Sequence, residues 1–320
     1  MNAPQTPVFI SVPELEELLA DEHPVHLLDV RWRLGSDDGY ERYSQGHLPG
    51  AVYVDLDTML AGQGPATAGR HPLPTEENFT KVMQLWGLRA AEPVVVYDDS
   101  AGLSAARAWW LLRYASHQPV YILDGGYEAW VEAGQNVQAG DVIPQPGDAT
   151  AVFGGLPAVA MEDVLDQPLL LDARAAERYT GDHEPMDPRA GHIPGARNLP
   201  ASTLLEDGRL VSDEVILELL ESGGHRYGQA TTAYCGSGVT AAFLVAAAAH
   251  AGVTLSLYPG SFSQWSQHPE LEVETGARVH DVVSLETQIL EHDEDTEVTA
   301  TGADPAEEAE AVESPETKEN

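Results

Sequence analysis

The chain has 320 residues, 52 acidic against 16 basic, a formal net charge of −36 and a single cysteine. Such a charge, with lysine only at positions 81 and 318, excludes a surface for nucleic acid or an anionic membrane. One cysteine excludes an intrachain disulfide framework and fits a reducing compartment.

The N-terminal stretch has neither a basic region nor an apolar one, so no signal peptide is expected. The apolar run in "AAFLVAAAAHAG" is too short to cross a bilayer. The expectation is a soluble cytoplasmic protein whose length suits two domains.

In chain order, "VHLLDV" reads as a buried strand followed by turn chemistry, and "GHLPGA" as a turn. "PVVVYD" is a second buried strand, rich in β-branched residues, and "SAARAWWLLRYA" is helical in period and composition. "PVYILDGG" is a third strand ending in glycines. The stretch 137–157 is rich in Gly and Pro without periodicity and reads as a linker.

The landmarks then recur in the same order. "LLLDA" matches "VHLLDV", "GHIPGA" matches "GHLPGA", "TTAYC" matches "PVVVYD", and "VTAAFLVAAAAHAG" supplies the helix. Asp29, His47, Asp98 and Trp130 correspond to Asp172, His192, Cys235 and Trp265, which marks a duplicated domain. Alternating strands and helices predict an α/β fold, a parallel sheet in each copy with helices on both faces. Residues 281–320 hold 14 acids and one lysine and are expected to be disordered, apart from a short helix over "VVSLETQIL".

The chemistry-bearing stretch is "YCGSGVTAA". It puts the thiol of Cys235 at a strand end, then Gly236, Ser237 and Gly238, then Val239 and Thr240 at a helix start. Ligands of open α/β sheets sit beyond the carboxyl ends of strands. Glycines let a tight loop turn its N–H groups inward, and the helix start adds its own. The pair makes a cradle for a sulfur anion, thiolate or persulfide. A cysteine phosphatase would need an arginine six residues on, where Ala241 stands. With no second cysteine, no metal site is expected. Sulfur transfer is the remaining chemistry.

The doubled pattern, the twin "GH-PG" turns and "CGSGVTAA" together resemble the rhodanese superfamily, over about residues 7 to 275, in its tandem-domain sulfurtransferase form. The resemblance implies two tandem rhodanese-like domains: an N-terminal one over 1–136 without the cysteine, a catalytic one over 158–280, and a tail over 281–320. Asp98 stands where Cys235 does.

The resemblance implies Cys235 as persulfide carrier, cradled by Gly236, Gly238, Val239 and Thr240. It implies Arg178, in "ERY", as a clamp for the donor carboxylate. Arg189 takes the second arginine's part from a loop of different length. Asp57 and His71 come from the N-terminal domain to form a proton relay with Ser237. The uncharged loop resembles that of 3-mercaptopyruvate sulfurtransferases. Thiosulfate as donor is the alternative, and a non-catalytic binding module is another. The partners implied are a small anionic sulfur donor and a thiol acceptor such as a thioredoxin-like protein, or cyanide in vitro. No cofactor is implied. His47, His192, Asp29, Asp172, Arg174 and the tryptophans at 109, 110, 130 and 265 read as structural.

Overall fold

A computed structural model describes residues 7–21 and 23–277. The acidic tail and the helix expected within it lie outside the described residues. The N-terminal half runs β1 (Phe9–Ile10), α1 (Val12–Ala20), β2 (His26–Asp29), α2 (Gly39–Gln45), β3 (Val52–Tyr53), α3 (Leu56–Met59), α4 (Glu76–Leu85), β4 (Val94–Tyr97), α5 (Ala105–Tyr114), β5 (Val120–Leu123) and α6 (Gly126–Glu132). The C-terminal half runs β6 (Leu170–Asp172), α7 (Ala176–Thr180), β7 (Arg197–Asn198), β8 (Leu205–Glu206), β9 (Arg209–Leu210), α8 (Asp213–Ser222), β10 (Thr232–Tyr234), α9 (Thr240–His250), β11 (Ser256–Leu257) and α10 (Ser261–Trp265).

Both principal sheets are parallel. The first has the order β1-β5-β4-β2-β3 and the second β11-β10-β6-β7. In the second half the place of β1 is taken by a single parallel bridge, Ala158 to Leu257. Asp29 pairs in register with Tyr97, and Asp172 with Tyr234, so the two halves repeat each other at the strand ends.

Local chemistry explains where the outer helices begin. Ser11 and Glu14 form a reciprocal capping box on α1, and Thr75 and Ser212 cap α4 and α8 with acids in the first turn. α9 is different. Its residues 241–248 are all buried, so it has no solvent face and sits inside the molecule. It packs on α5, whose residues 105–112 are equally buried. One apolar cluster therefore draws on both halves, with Phe9 edge-on to Phe243 at 5.6 Å between ring centroids. The loop that carries Cys235 hangs at the head of this shared central helix.

The residues read as structural are so placed. Trp109, Trp110, Trp130 and Trp265 are buried. His47 and His192 hydrogen-bond the carbonyl groups of Gly140 and Tyr179, and stack on Tyr43 and Tyr179. Arg174 grips Asp172 at 2.6 Å and lies over the Phe262 ring, as Arg31 grips Asp29.

Candidate active site

Cys235 follows the last residue of β10, at the carboxyl end of the sheet. Its N–H donates to Ser261 Oγ at 3.2 Å, and its carbonyl accepts from Phe262 N at 3.0 Å. Ser263 N donates to the Gly236 carbonyl at 2.8 Å, so the loop is stitched to the start of α10. The Gly238 N–H then points back at Cys235 Sγ, 3.2 Å away. Gly238 holds φ +78°, and a Cβ there would lie 2.5 Å from the Pro259 carbonyl oxygen. Only glycine fits that inward turn. Val239 stands at the N-cap position of α9, with no side-chain cap, and Thr240 begins the helix. Cys235 is only 2% exposed, so its reactivity depends on polar neighbours rather than on open solvent.

The vestigial half shows what such a loop holds. There Asp98 takes the cysteine's place and its carboxylate accepts four backbone N–H groups. These come from Ser100 and Gly102 at 2.8 Å, Ser104 at 2.7 Å and Ala105 at 2.9 Å. The copy without a nucleophile fills its own anion cradle.

Three expected residues meet across the two halves. His71 Nε2 lies 2.8 Å from Asp57 Oδ1, and Nδ1 lies 2.8 Å from Ser237 Oγ. A carboxylate only accepts, so Nε2 carries the hydrogen and Nδ1 accepts from the serine hydroxyl. Trp32 Nε1 donates to both Asp57 oxygens at 3.1 Å and its ring meets His71 edge-on. Burial pulls the imidazole below its ordinary value, and the nearby Arg107 pulls the same way. His71 is therefore neutral at neutral pH.

The loop that carries His71 is laid against the C-terminal half. Arg70 N donates to Ser263 Oγ at 3.1 Å. Gly69 has φ +88°, and a Cβ on it would come within 3.0 Å of the Gly260 carbonyl.

The arginines depart from expectation. Arg178, on α7, does lie beside the cysteine loop, since a Cβ on Gly236 would sit 3.2 Å from its Nη1. Arg189 does not serve there. Its guanidinium donates to the carbonyls of Ser266, Leu271, Trp265 and His268 at 2.6 to 2.9 Å, which pins the 181–191 loop to the chain after α10. Arg70 instead lies there, its Nη2 2.8 Å from where a Cβ on Gly236 would sit. Sequence reading missed it because the second arginine was sought in the loop that holds Arg189. Its signal is its place directly before His71 in "GRHP".

Both flanking arginines carry internal carboxylates. Arg178 pairs with Glu184 at 2.8 Å and with Asp187 at 3.1 Å, and Arg70 pairs with Asp187. Asp187 is raised by burial despite Arg70, whereas Glu184 is lowered overall, its burial outweighed by Arg178 and two backbone N–H groups.

Comparison with known proteins follows this geometry. The Rhodanese-like domain family matches residues 11–133 and 158–268. A Mycobacterium tuberculosis protein named "Putative thiosulfate sulfurtransferase SseB" is 44% identical over 276 residues, 84% of this chain and 97% of that one. A Pseudomonas aeruginosa protein named "Probable 3-mercaptopyruvate sulfurtransferase" is 41% identical over 266 residues, 78% of this chain and 92% of its own. The crystal structure of SseA from Escherichia coli, a 3-mercaptopyruvate sulfotransferase, aligns with a TM-score of 0.72 at 32% identity, over 80% of this chain and 99% of that one. Two matched copies and parallel sheets with the same loop at each strand end leave one conclusion: this chain belongs to the rhodanese family, as a tandem of two rhodanese-like domains.

Proposed function

We propose that the protein is a sulfurtransferase that moves a sulfane sulfur from 3-mercaptopyruvate through a persulfide on Cys235 to a thiol acceptor. The observation that carries this is the Cys235 sulfur under the Gly238 N–H, at the head of a buried helix, beside the Asp57–His71–Ser237 chain. Relatives named for 3-mercaptopyruvate support the donor, and a relative named for thiosulfate keeps that donor as the competitor.

The reaction has two halves. The Cys235 thiolate attacks the donor sulfur and an S–S bond forms. The donor's C–S bond breaks and its electron pair passes to carbon, giving the enolate of pyruvate. The donor's thiol proton, taken up by neutral His71 through Ser237, returns along the same path to that carbon, and pyruvate leaves. The loop's N–H groups hold the persulfide anion, as those of the vestigial copy hold Asp98. An acceptor thiolate then attacks the outer sulfur and releases the Cys235 thiolate. The donor carboxylate is met by Arg178 and Arg70, in competition with Glu184 and Asp187. A thioredoxin-like protein in a reducing compartment such as the cytoplasm fits as acceptor.

Steady-state kinetics with both donors test the reading. The expected outcome is a higher kcat/KM for 3-mercaptopyruvate and a mass gain of one sulfur on Cys235 after donor treatment. Cys235→Ser should abolish both. Turnover retained in that variant overturns the assignment.

A further inference from the structure

Arg107 lies on α5, in the half without the nucleophile, and none of its surface is exposed. A buried guanidinium is costly unless an opposite charge meets it. Its hydrogen-bond partners are backbone carbonyls: His71 at 3.0 Å, Leu60 at 3.3 Å and Gly238 at 3.4 Å. Its Nε has no partner. Burial draws it down to about 10, still cationic at neutral pH, and it is raised in part by Cys235.

The duplication shows that this placement is specific to the catalytic loop. Gly102 and Gly238 are counterparts in the two loops, with φ of +88° and +78°. Arg107 and Phe243 follow them at the same interval, one on each central helix. Each reaches across to the other half. A Cβ on Gly238 would meet Arg107 Nη1 at 3.2 Å, and a Cβ on Gly102 would meet the Phe243 ring at 3.4 Å. The loop with the sulfur faces a cation. The loop whose anion is already satisfied by four N–H groups faces a phenyl ring.

We propose that Arg107 is the positioning counter-charge of the Cys235 sulfur, supplied across the domain interface, which favours the thiolate before transfer and the persulfide anion after it. The titratable groups facing it are Cys235, in the loop before α9, and His71, in the loop before α4. The same cation that favours a sulfur anion also helps keep His71 neutral, so one charge sets both partners in the state that catalysis uses. Arg107 further ties the His71 and Gly238 carbonyls together, which fixes the relay against the loop.

The persulfide part of this rests on the sulfur-transfer reading, whereas the thiolate part can be measured without any donor. The test is the pH dependence of Cys235 alkylation by iodoacetamide in the full chain, for the wild type, Arg107→Gln and Arg107→Lys. Gln keeps donors for the carbonyls but no charge, and Lys keeps charge. Arg107→Gln should slow alkylation at neutral pH by about tenfold or more and move the profile to higher pH, while Arg107→Lys stays within about threefold of the wild type. A folded Arg107→Gln with the wild-type profile, or Arg107→Lys as impaired as Gln, overturns the proposal.

Should the neutral variant fail to fold, Cys235→Asp and Cys235→Asn in the wild-type background decide. A carboxylate beside the cation should melt higher than the amide, and equal or lower melting overturns the proposal. Failure to load sulfur on the wild type, with the Arg107→Gln effect intact, would remove the transfer reading and leave the thiolate role of Arg107 standing.

Discussion

His71 separates the two candidate donors more sharply than any residue that touches sulfur. Release of pyruvate leaves a carbanion that must be protonated, whereas release of sulfite from thiosulfate needs no proton. With its hydrogen on Nε2 and Nδ1 at 2.8 Å from Ser237 Oγ, neutral His71 can take up the donor's thiol proton through the serine and return it to that carbon. His71→Ala should therefore lower kcat with 3-mercaptopyruvate by about 10²-fold, the usual scale of proton-transfer catalysis, and leave thiosulfate turnover within a few-fold. Equal losses with both donors would assign His71 to packing.

The pH dependence has a definite sign. Burial and Arg107 depress His71 in the folded state. The unfolded chain takes up its proton near the ordinary value of about 6.5 while the folded chain resists. Stability from this group is intact above that pH and declines as the pH falls below it. The acid limb of kcat should lie below the same value.

At the scale of elements, the loop after α7 sets the charge beside Gly236. Glu184 and Asp187 turn inward on the arginines that flank Gly236, so the cationic pair is balanced before any donor arrives. Asp187→Asn removes one competitor and should lower KM for 3-mercaptopyruvate several-fold with little change in kcat. An unchanged or higher KM would show that the donor carboxylate binds elsewhere. Arg189→Ala should act on the other quantity. It removes four part-buried hydrogen bonds to carbonyls and should cost about 2–4 kcal/mol of stability, read as a lower Tm, with KM retained.

These elements also show what the sequence could convey. Strands, turns and the glycine loop were legible because each carries local chemistry, and the repeat doubled the signal. Asp57, His71 and Ser237 were found through family resemblance, and the structure puts them within hydrogen-bond distance. The second arginine was not legible, because its place depends on how a loop of unusual length closes. Arg107 was passed over as one more helical residue in "SAARAWW", although a lone charge in so apolar a run is itself a signal.

At the scale of the molecule, two copies of one fold have become a single working unit. α5 buries residues 105–112 and α9 residues 241–248, the two helices pack on each other, and the apolar cluster they share contains strands of both sheets. The site is divided in the same way, with sulfur and loop from one half and relay and counter-charge from the other. Cooperative unfolding follows from this sharing, since neither half can expose its central helix without losing the common core. Phe243 touches the vestigial loop at Gly102 and the ring of Phe9, so it couples the halves directly. Phe243→Ala should cost about 3–5 kcal/mol through the cavity it opens. In calorimetry the wild type should melt in one transition, and the variant in one transition at lower temperature. Two transitions in the wild type would mean that the halves fold independently. The relay would then be a contact between separate bodies rather than part of one core.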